Sequence, residues 1–171
     1  MITAIDFRVL NAIQRKMRCR ALDCIMPKVS MAGNFGMVWL LTAVLFLTSE
    51  SYEDAGVKII CGLSAGVILG NLLLKNIFSR PRPFQTDKTK TLLIKAPQDY
   101  SFPSGHALSS AISTVILVHT NIIFGMLALA LCLMILFSRM YLYVHYPSDI
   151  AGGIVLGVIK SQAVLRLNIQ I

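Results

Sequence analysis

At 171 residues, 56% of them hydrophobic and only 14% charged, with a mean hydropathy of +0.70, the chain is too apolar for an ordinary soluble domain. The charge that remains is one-sided, 16 Lys and Arg against 8 Asp and Glu for a net +8, which suits anionic lipid head groups or phosphorylated substrates. Because the basic residues are scattered between apolar runs, no nucleic-acid surface is expected, and the chain reads as a single all-α integral membrane domain over residues 1–171.

The first residues, MITAIDFRVL, lack the charged start, apolar stretch and small-residue cleavage site of a signal peptide. Residues 1–28 form an amphipathic N-terminal segment. Ile2, Ile5, Val9, Ile13 and Met17 recur at helical spacing while Arg8, Arg15 and Arg18 take the other side, which predicts a helix lying in the membrane interface. Residues 2–20 are too polar to cross. Five later stretches are apolar enough to span a bilayer: 31–48, 55–78, 104–119, 122–137 and 147–165. Gly62, Gly66 and Gly70 share one face of the second, and Gly153 and Gly157 one face of the fifth, as close helix packing requires. The polar stretch 79–101 is too long for a simple connector and is expected to cover something at the surface. Cys19, Cys24, Cys61 and Cys132 have neither metal-ligand nor C-x-x-C spacing, so neither zinc nor a disulfide is expected.

Parity of the spans gathers polar residues at one membrane face. The third and fourth spans, of equal length and joined at His119, Thr120 and Asn121, form an antiparallel hairpin that returns Ser138 and Arg139 beside Gly105 and His106. The fifth span starts from that surface at Pro147, a good first-turn residue, with His145 and Asp149 flanking it. The second span ends there at Lys75, followed by Arg80 and Arg82. Lys75, Arg82, Ser104, Gly105, His106, Arg139, His145 and Asp149 therefore meet. His119, about 20 Å along a helix from His106, belongs to the opposite face and is structural. Tyr141, Tyr143 and Tyr146 read as an interfacial aromatic belt.

Three cations with the N–H groups of a helix start make a site for a tetrahedral phosphate, whose charge is spread over several oxygens. Phosphoryl transfer fits such a set. One histidine can attack while a carboxylate holds its tautomer, and the other can protonate the leaving oxygen. No cofactor or metal is called for by these residues.

The spacing of these residues is diagnostic. Lys75, six residues, Arg82 and Pro83 are followed by Pro103, Ser104, Gly105 and His106, then by Ser138, Arg139, five residues, His145, three residues and Asp149. This resembles, across residues 75–149, the three-part signature of the type 2 phosphatidic acid phosphatases, membrane relatives of the vanadium haloperoxidases. The resemblance implies that His145 becomes a phosphohistidine, that Asp149 orients it and that His106 is the general acid. It makes Lys75, Arg82 and Arg139 a phosphate clamp, with Ser104 and the Gly105 N–H adding donors, and it implies a metal-independent hydrolase. The implied substrate is a membrane lipid phosphate or diphosphate, such as undecaprenyl diphosphate, phosphatidylglycerol phosphate or phosphatidic acid, in a bacterial plasma membrane. A phosphatase of soluble organic phosphates and a non-catalytic lipid-phosphate carrier are the alternatives. Sidedness stays open. Most basic residues fall on the site's side, with Lys58, Lys160 and Arg166 opposite, so the positive-inside rule favours a cytoplasmic site, whereas bacterial members of that family generally work from the outer face.

Overall fold

In the computed structural model, residues 2–167 are described, and among them every regular element is helical. The helices are α1 (Ile2–Lys16), α2 (Arg20–Ala32), α3 (Met37–Leu47), α4 (Glu53–Gly66), α5 (Lys75–Phe78), α6 (Pro83–Thr86), α7 (Gly105–Thr120), α8 (Ile122–Tyr141) and α9 (Pro147–Leu165). A 3-10 turn, Asn34–Gly36, links α2 to α3, and a π-helical run, Val67–Leu74, links α4 to α5.

α7 is the central helix and packs on α4, α8 and α9. Glycines bring the backbones together: a Cβ on Gly153 would lie 2.6 Å from the Ser104 carbonyl oxygen, one on Gly157 2.8 Å from that of Leu108, and one on Gly62 2.6 Å from Ile112 Cγ2. Trp39, Ile59, Ile112, Ile116 and Ile135 form the core between these helices. The close α7–α9 approach carries the Ser104 N–H to the Asp149 carbonyl, 3.1 Å away, and so locks together the two helix starts that bear motif residues.

Several sequence expectations change in detail. Among the described residues three stretches, that opening with α4 together with α8 and α9, are long and apolar enough to cross a membrane, and the α2–α3 pair, bent by 48°, makes a fourth when taken as one broken span. Of the five expected spans, α7 is the one that falls short, with 16 residues; it is enclosed by its neighbours and needs little contact with lipid. The stretch expected as a straight span over 31–48 is the bent pair, because Phe35 and Gly36 adopt left-handed backbone angles (φ 54° and 68°) that break the helix. α3 alone rises only about 16 Å. The α7–α8 hairpin is not of equal arms: α8 has 20 residues and continues past Arg139 to Tyr141, so Ser138 and Arg139 lie inside its last turns.

The N-terminal segment is two helices rather than one. α1 turns Asp6, Leu10 and Ile13 inward and leaves Ile5, Val9 and Met17 exposed. The expected apolar stripe thus stays outside except at Ile13, because the inward face is set by a buried ion pair of Asp6; the side chain of Ile2 lies outside the described residues. The tyrosines are not an interfacial belt. Tyr141, Tyr143 and Tyr146 are at most 2% exposed and tie the N-terminal helices and α6 to the loop after α8: Tyr141 donates to Asp23 (2.7 Å), Tyr143 reaches Asn11 (3.2 Å) and Asp87 (3.2 Å), and the Tyr146 hydroxyl pairs with that of Thr86 (3.3 Å). At the far end of the molecule Lys58 pairs with Asp54, and His119 sits near the end of α7, its Nδ1 2.9 Å from the Val115 carbonyl.

Candidate active site

A cavity of about 800 Å³ opens beside the first turn of α7. Lys75, Arg82, Arg139, Gly105, His106 and His145 form its polar wall, while Met31, Phe35, Leu63, Val67 and Leu108 form an apolar one. The structure therefore brings together at one cavity six of the eight residues gathered by parity of the spans. Asp149 stands behind His145. Ser104 is fully buried and its Oγ accepts the Ala107 N–H at 3.4 Å, so the hydroxyl oxygen caps α7 while the backbone of the next residue meets the cavity.

His145 is 1% exposed and lies on the loop between α8 and α9. Arg82 Nη1 is 3.2 Å from its Nε2. A guanidinium can only donate, so Nε2 carries the lone pair and Nδ1 the proton. Nδ1 in turn faces Asp149 Oδ2 at 3.5 Å, an approach longer than a hydrogen bond, and has no hydrogen-bond partner among the described residues. Burial, reinforced by the charges of Arg82, Arg139 and Lys75, holds the imidazole pKa well below its ordinary 6.5, so the ring is neutral at neutral pH. Asp149 Oδ2 also accepts the Tyr146 N–H at 2.9 Å, which makes it the capping acid of α9, with Pro147 ideal for the first turn.

The cations are spoken for in this resting arrangement. Lys75 and Arg82 both hold Asp99, a residue of the 79–101 stretch: Lys75 Nζ bonds Oδ2, Arg82 Nη2 bonds Oδ1 at 2.6 Å, and Arg82 Nε donates to the Asp99 carbonyl at 2.8 Å. Burial opposes ionisation of Asp99, but the Lys75 hydrogen bond and the charges of Arg82 and Lys75 outweigh it and keep the carboxyl well below the usual carboxylate range. Arg139 Nη1 bonds the Ser30 hydroxyl, and His106 Nε2 lies 3.2 Å from both the Ser30 carbonyl and Asn34 Oδ1. Two acceptors around one nitrogen make that nitrogen the donor, so His106 carries a proton on Nε2. Gly33 has no side chain because a Cβ there would sit 2.8 Å from His106 Cδ2.

Sequence reasoning missed Asp99, Ser30, Asn34 and the ion pairs of Arg80. Asp99 and Arg80 had a signal, an acid and a base in a polar segment too long for a connector. Ser30 and Asn34 had none, since Ser30 lies between the amphipathic segment 1–28 and the apolar span 31–48, and Asn34 lies inside that span. Among the described residues no group of three or more His, Cys, Asp or Glu is placed to hold a metal ion.

Comparison with known proteins agrees with the motifs. The chain is 31% identical over 121 residues to an undecaprenyl-diphosphatase of Sulfolobus acidocaldarius, a match covering 70% of this chain and 58% of that protein. It is 30% identical over 139 residues to the undecaprenyl-diphosphatase BcrC of Bacillus subtilis, covering 81% of this chain and 70% of that one. In fold it is similar to a transmembrane PAP2 type phosphatidylglycerolphosphate phosphatase from Bacillus subtilis, with a TM-score of 0.77 at 23% identity over 96% of this chain and 84% of the other. Aquifex aeolicus LpxE gives 0.76 at 21% identity over 95% of this chain and 96% of its own. With its several apolar helices the chain is a multi-pass membrane protein. The sequence profile of the PAP2 superfamily matches residues 55–169, more than half of its length, and the chain belongs to that superfamily.

Proposed function

We infer that the protein is a membrane lipid phosphatase that removes the terminal phosphate of a lipid phosphate or diphosphate through a phosphohistidine. The observation that carries this reading is the 3.2 Å approach of Arg82 Nη1 to His145 Nε2, which leaves a neutral imidazole with its lone pair among Lys75, Arg82 and Arg139. In the first step Nε2 attacks phosphorus, the bond from phosphorus to the leaving oxygen breaks, and His106, entering the step as the imidazolium with its Nε2–H held by Ser30 and Asn34, gives that oxygen its Nδ1 proton and becomes the neutral ring. Asp149 faces the Nδ1–H as the ring gains charge. The cations and the Gly105 N–H hold the equatorial oxygens, where most of the catalysis resides. In the second step water attacks phosphorus, His106 takes its proton, and the P–N bond breaks to release phosphate and restore His145.

A polar site beside an apolar cavity wall suits a substrate whose chain stays in the membrane. The relatives named as undecaprenyl-diphosphatases favour a polyprenyl diphosphate over phosphatidic acid or phosphatidylglycerol phosphate. We place the protein in a bacterial plasma membrane and regard residues 1–171 as one catalytic domain. The test is phosphate release from a panel of these lipids in detergent, with His145→Ala as control. Faster release from water-soluble esters than from any lipid would overturn the substrate class, and no release from any phosphate would overturn the activity.

A further inference from the structure

A second charged cluster, of two buried acids and the partly buried Arg80, lies behind His145, away from the cavity. The Asp149 carboxylate is fully buried, and the neutral His145 ring cannot balance its charge. An unbalanced buried carboxylate is costly, so a cation is required nearby. Arg80 supplies it: Nη1 bonds Asp149 Oδ1 at 2.5 Å and Ser148 Oγ at 2.8 Å, and Nη2 bonds Asp6 Oδ2 at 2.7 Å. The guanidinium carbon lies 4.0 Å over the Tyr146 ring, which supports the plane from one face. Asp6, on α1 and 2% exposed, is fixed in turn by the Ser148 N–H at 3.0 Å and Ser148 Oγ at 2.6 Å.

We propose that Arg80 and Asp6 are positioning residues for the nucleophile, acting through Asp149. This rests on the phosphohistidine reading above. A guanidinium is a rigid planar fork, and here its donors are held by two carboxylates and a hydroxyl. Pinning Oδ1 leaves Oδ2 aimed at the Tyr146 N–H and at His145 Nδ1, where negative charge is needed once Nε2 has bonded to phosphorus. Released from Arg80, the carboxylate can turn about its terminal torsion and Oδ2 can leave Nδ1. Neither Arg80 nor Asp6 lines the cavity, so substrate affinity does not depend on them directly. The arrangement makes the N-terminal helix part of the catalytic apparatus, with its acid inside and its apolar residues Ile5, Val9 and Met17 outside.

The test uses the whole protein in detergent, with farnesyl diphosphate as substrate and orthovanadate as inhibitor. Arg80→Ala is expected to lower kcat by about 10²-fold, the scale of a misplaced catalytic group, with KM and the vanadate inhibition constant within about threefold of wild type. Arg80→Lys keeps the charge without the fork and should recover about tenfold of that loss. Asp6→Asn should lower kcat by about tenfold and add nothing to Arg80→Ala, because it acts through the same group. Unchanged kcat in Asp6→Asn and Arg80→Ala would make the cluster a structural clasp and overturn the proposal. A rise in KM with kcat intact, or additive losses in the double variant, would also overturn it. Should Arg80→Ala fail to fold, Arg80→Lys and Asp6→Asn decide by the same criteria. A wild-type protein that releases no phosphate removes the functional reading and this inference with it, whereas unaffected variants of an active wild type remove the inference alone.

Discussion

Replacing Arg82 by lysine keeps the positive charge and removes the fork, which makes it a sharp test of the site's geometry. Arg82 is 2% exposed and donates to the Val144 carbonyl (2.7 Å), the Asp99 carbonyl (2.8 Å), Asp99 Oδ1 (2.6 Å) and His145 Nε2 (3.2 Å). A single ammonium cannot serve acceptors set around three separate nitrogens. The exposed side of Asp99 can turn to water, but Val144 is fully buried, so its carbonyl is left without a donor at about 1–3 kcal/mol. For a chain of this length that corresponds to a fall in Tm of roughly 2–12 °C. The rate effect is larger, because one donor aimed at the transferring group is also lost, a change that typically lowers kcat by about 10²–10³. Scanning fluorimetry and steady-state phosphate release, both in the same detergent, measure the two effects. A variant with wild-type Tm and kcat within about threefold would refute the claim that the fork, beyond its charge, organises the nucleophile.

His145→Ala should abolish turnover by about 10⁴-fold or more and leave no acid-labile phosphoenzyme to trap, since the proposed attack is by His145 Nε2 and the other imidazole at the cavity, His106, is held at Nε2 by Ser30 and Asn34; retained phosphoenzyme would reassign the nucleophile. Asp99→Ala removes the anion that Lys75 and Arg82 hold at rest, so KM for substrate and the inhibition constant for vanadate should both fall by several-fold, while a rise in both would show that Asp99 organises the clamp instead of competing for it. Because burial and three cations depress the His145 pKa, NMR of isotope-labelled imidazole should place its midpoint below 6.5. The sign for stability follows: as pH falls through 6.5 the unfolded chain takes up the proton first, so this histidine's contribution is complete above that pH and declines below it, and a midpoint at or above 6.5 would contradict the geometry. EDTA should leave activity intact and vanadate should compete with substrate; magnesium-reversible loss with EDTA would exclude a mechanism carried by side chains alone.

The cluster of motif residues was legible because it depends on features a sequence carries well: apolar runs, their lengths, and the parity with which they return to one surface. Lys75, Arg82, His106, Arg139 and His145 reach one cavity through that arithmetic even though the helix lengths differ from those expected. What was illegible depends on rotation and long-range pairing. The inward face of α1 is chosen by Asp6 meeting Arg80, 74 positions away, against the pull of its own apolar stripe. The tyrosines are buried because α1, α2 and α6 lie over them, a fact that no local pattern of aromatic residues contains.

The two places where hydropathy predicted regular spans and the backbone is irregular both border the cavity. Gly33, Asn34, Phe35 and Gly36, at the bend between α2 and α3, line one side, and Gly66 and Val67, where α4 passes into the π-helical run, line another. A hydropathy count registers only how apolar such stretches are, so it reads them as straight α-helices. Local strain and irregular helix geometry are tolerated where they serve a site. Here the bend brings Asn34 Oδ1 and the Ser30 carbonyl to His106 Nε2, and the absence of a side chain at Gly33 leaves room for the His106 ring. A straight helix through residues 33–36 would carry those acceptors elsewhere and leave the His106 ring without the anchor at Nε2 that fixes its orientation. In the proposed mechanism the irregularity therefore serves the acid side, as Asp6 and Arg80 serve the nucleophile side through Asp149, and each draws on residues outside the three-part motif: Ser30 and Asn34 on one side, Asp6 and Arg80 on the other.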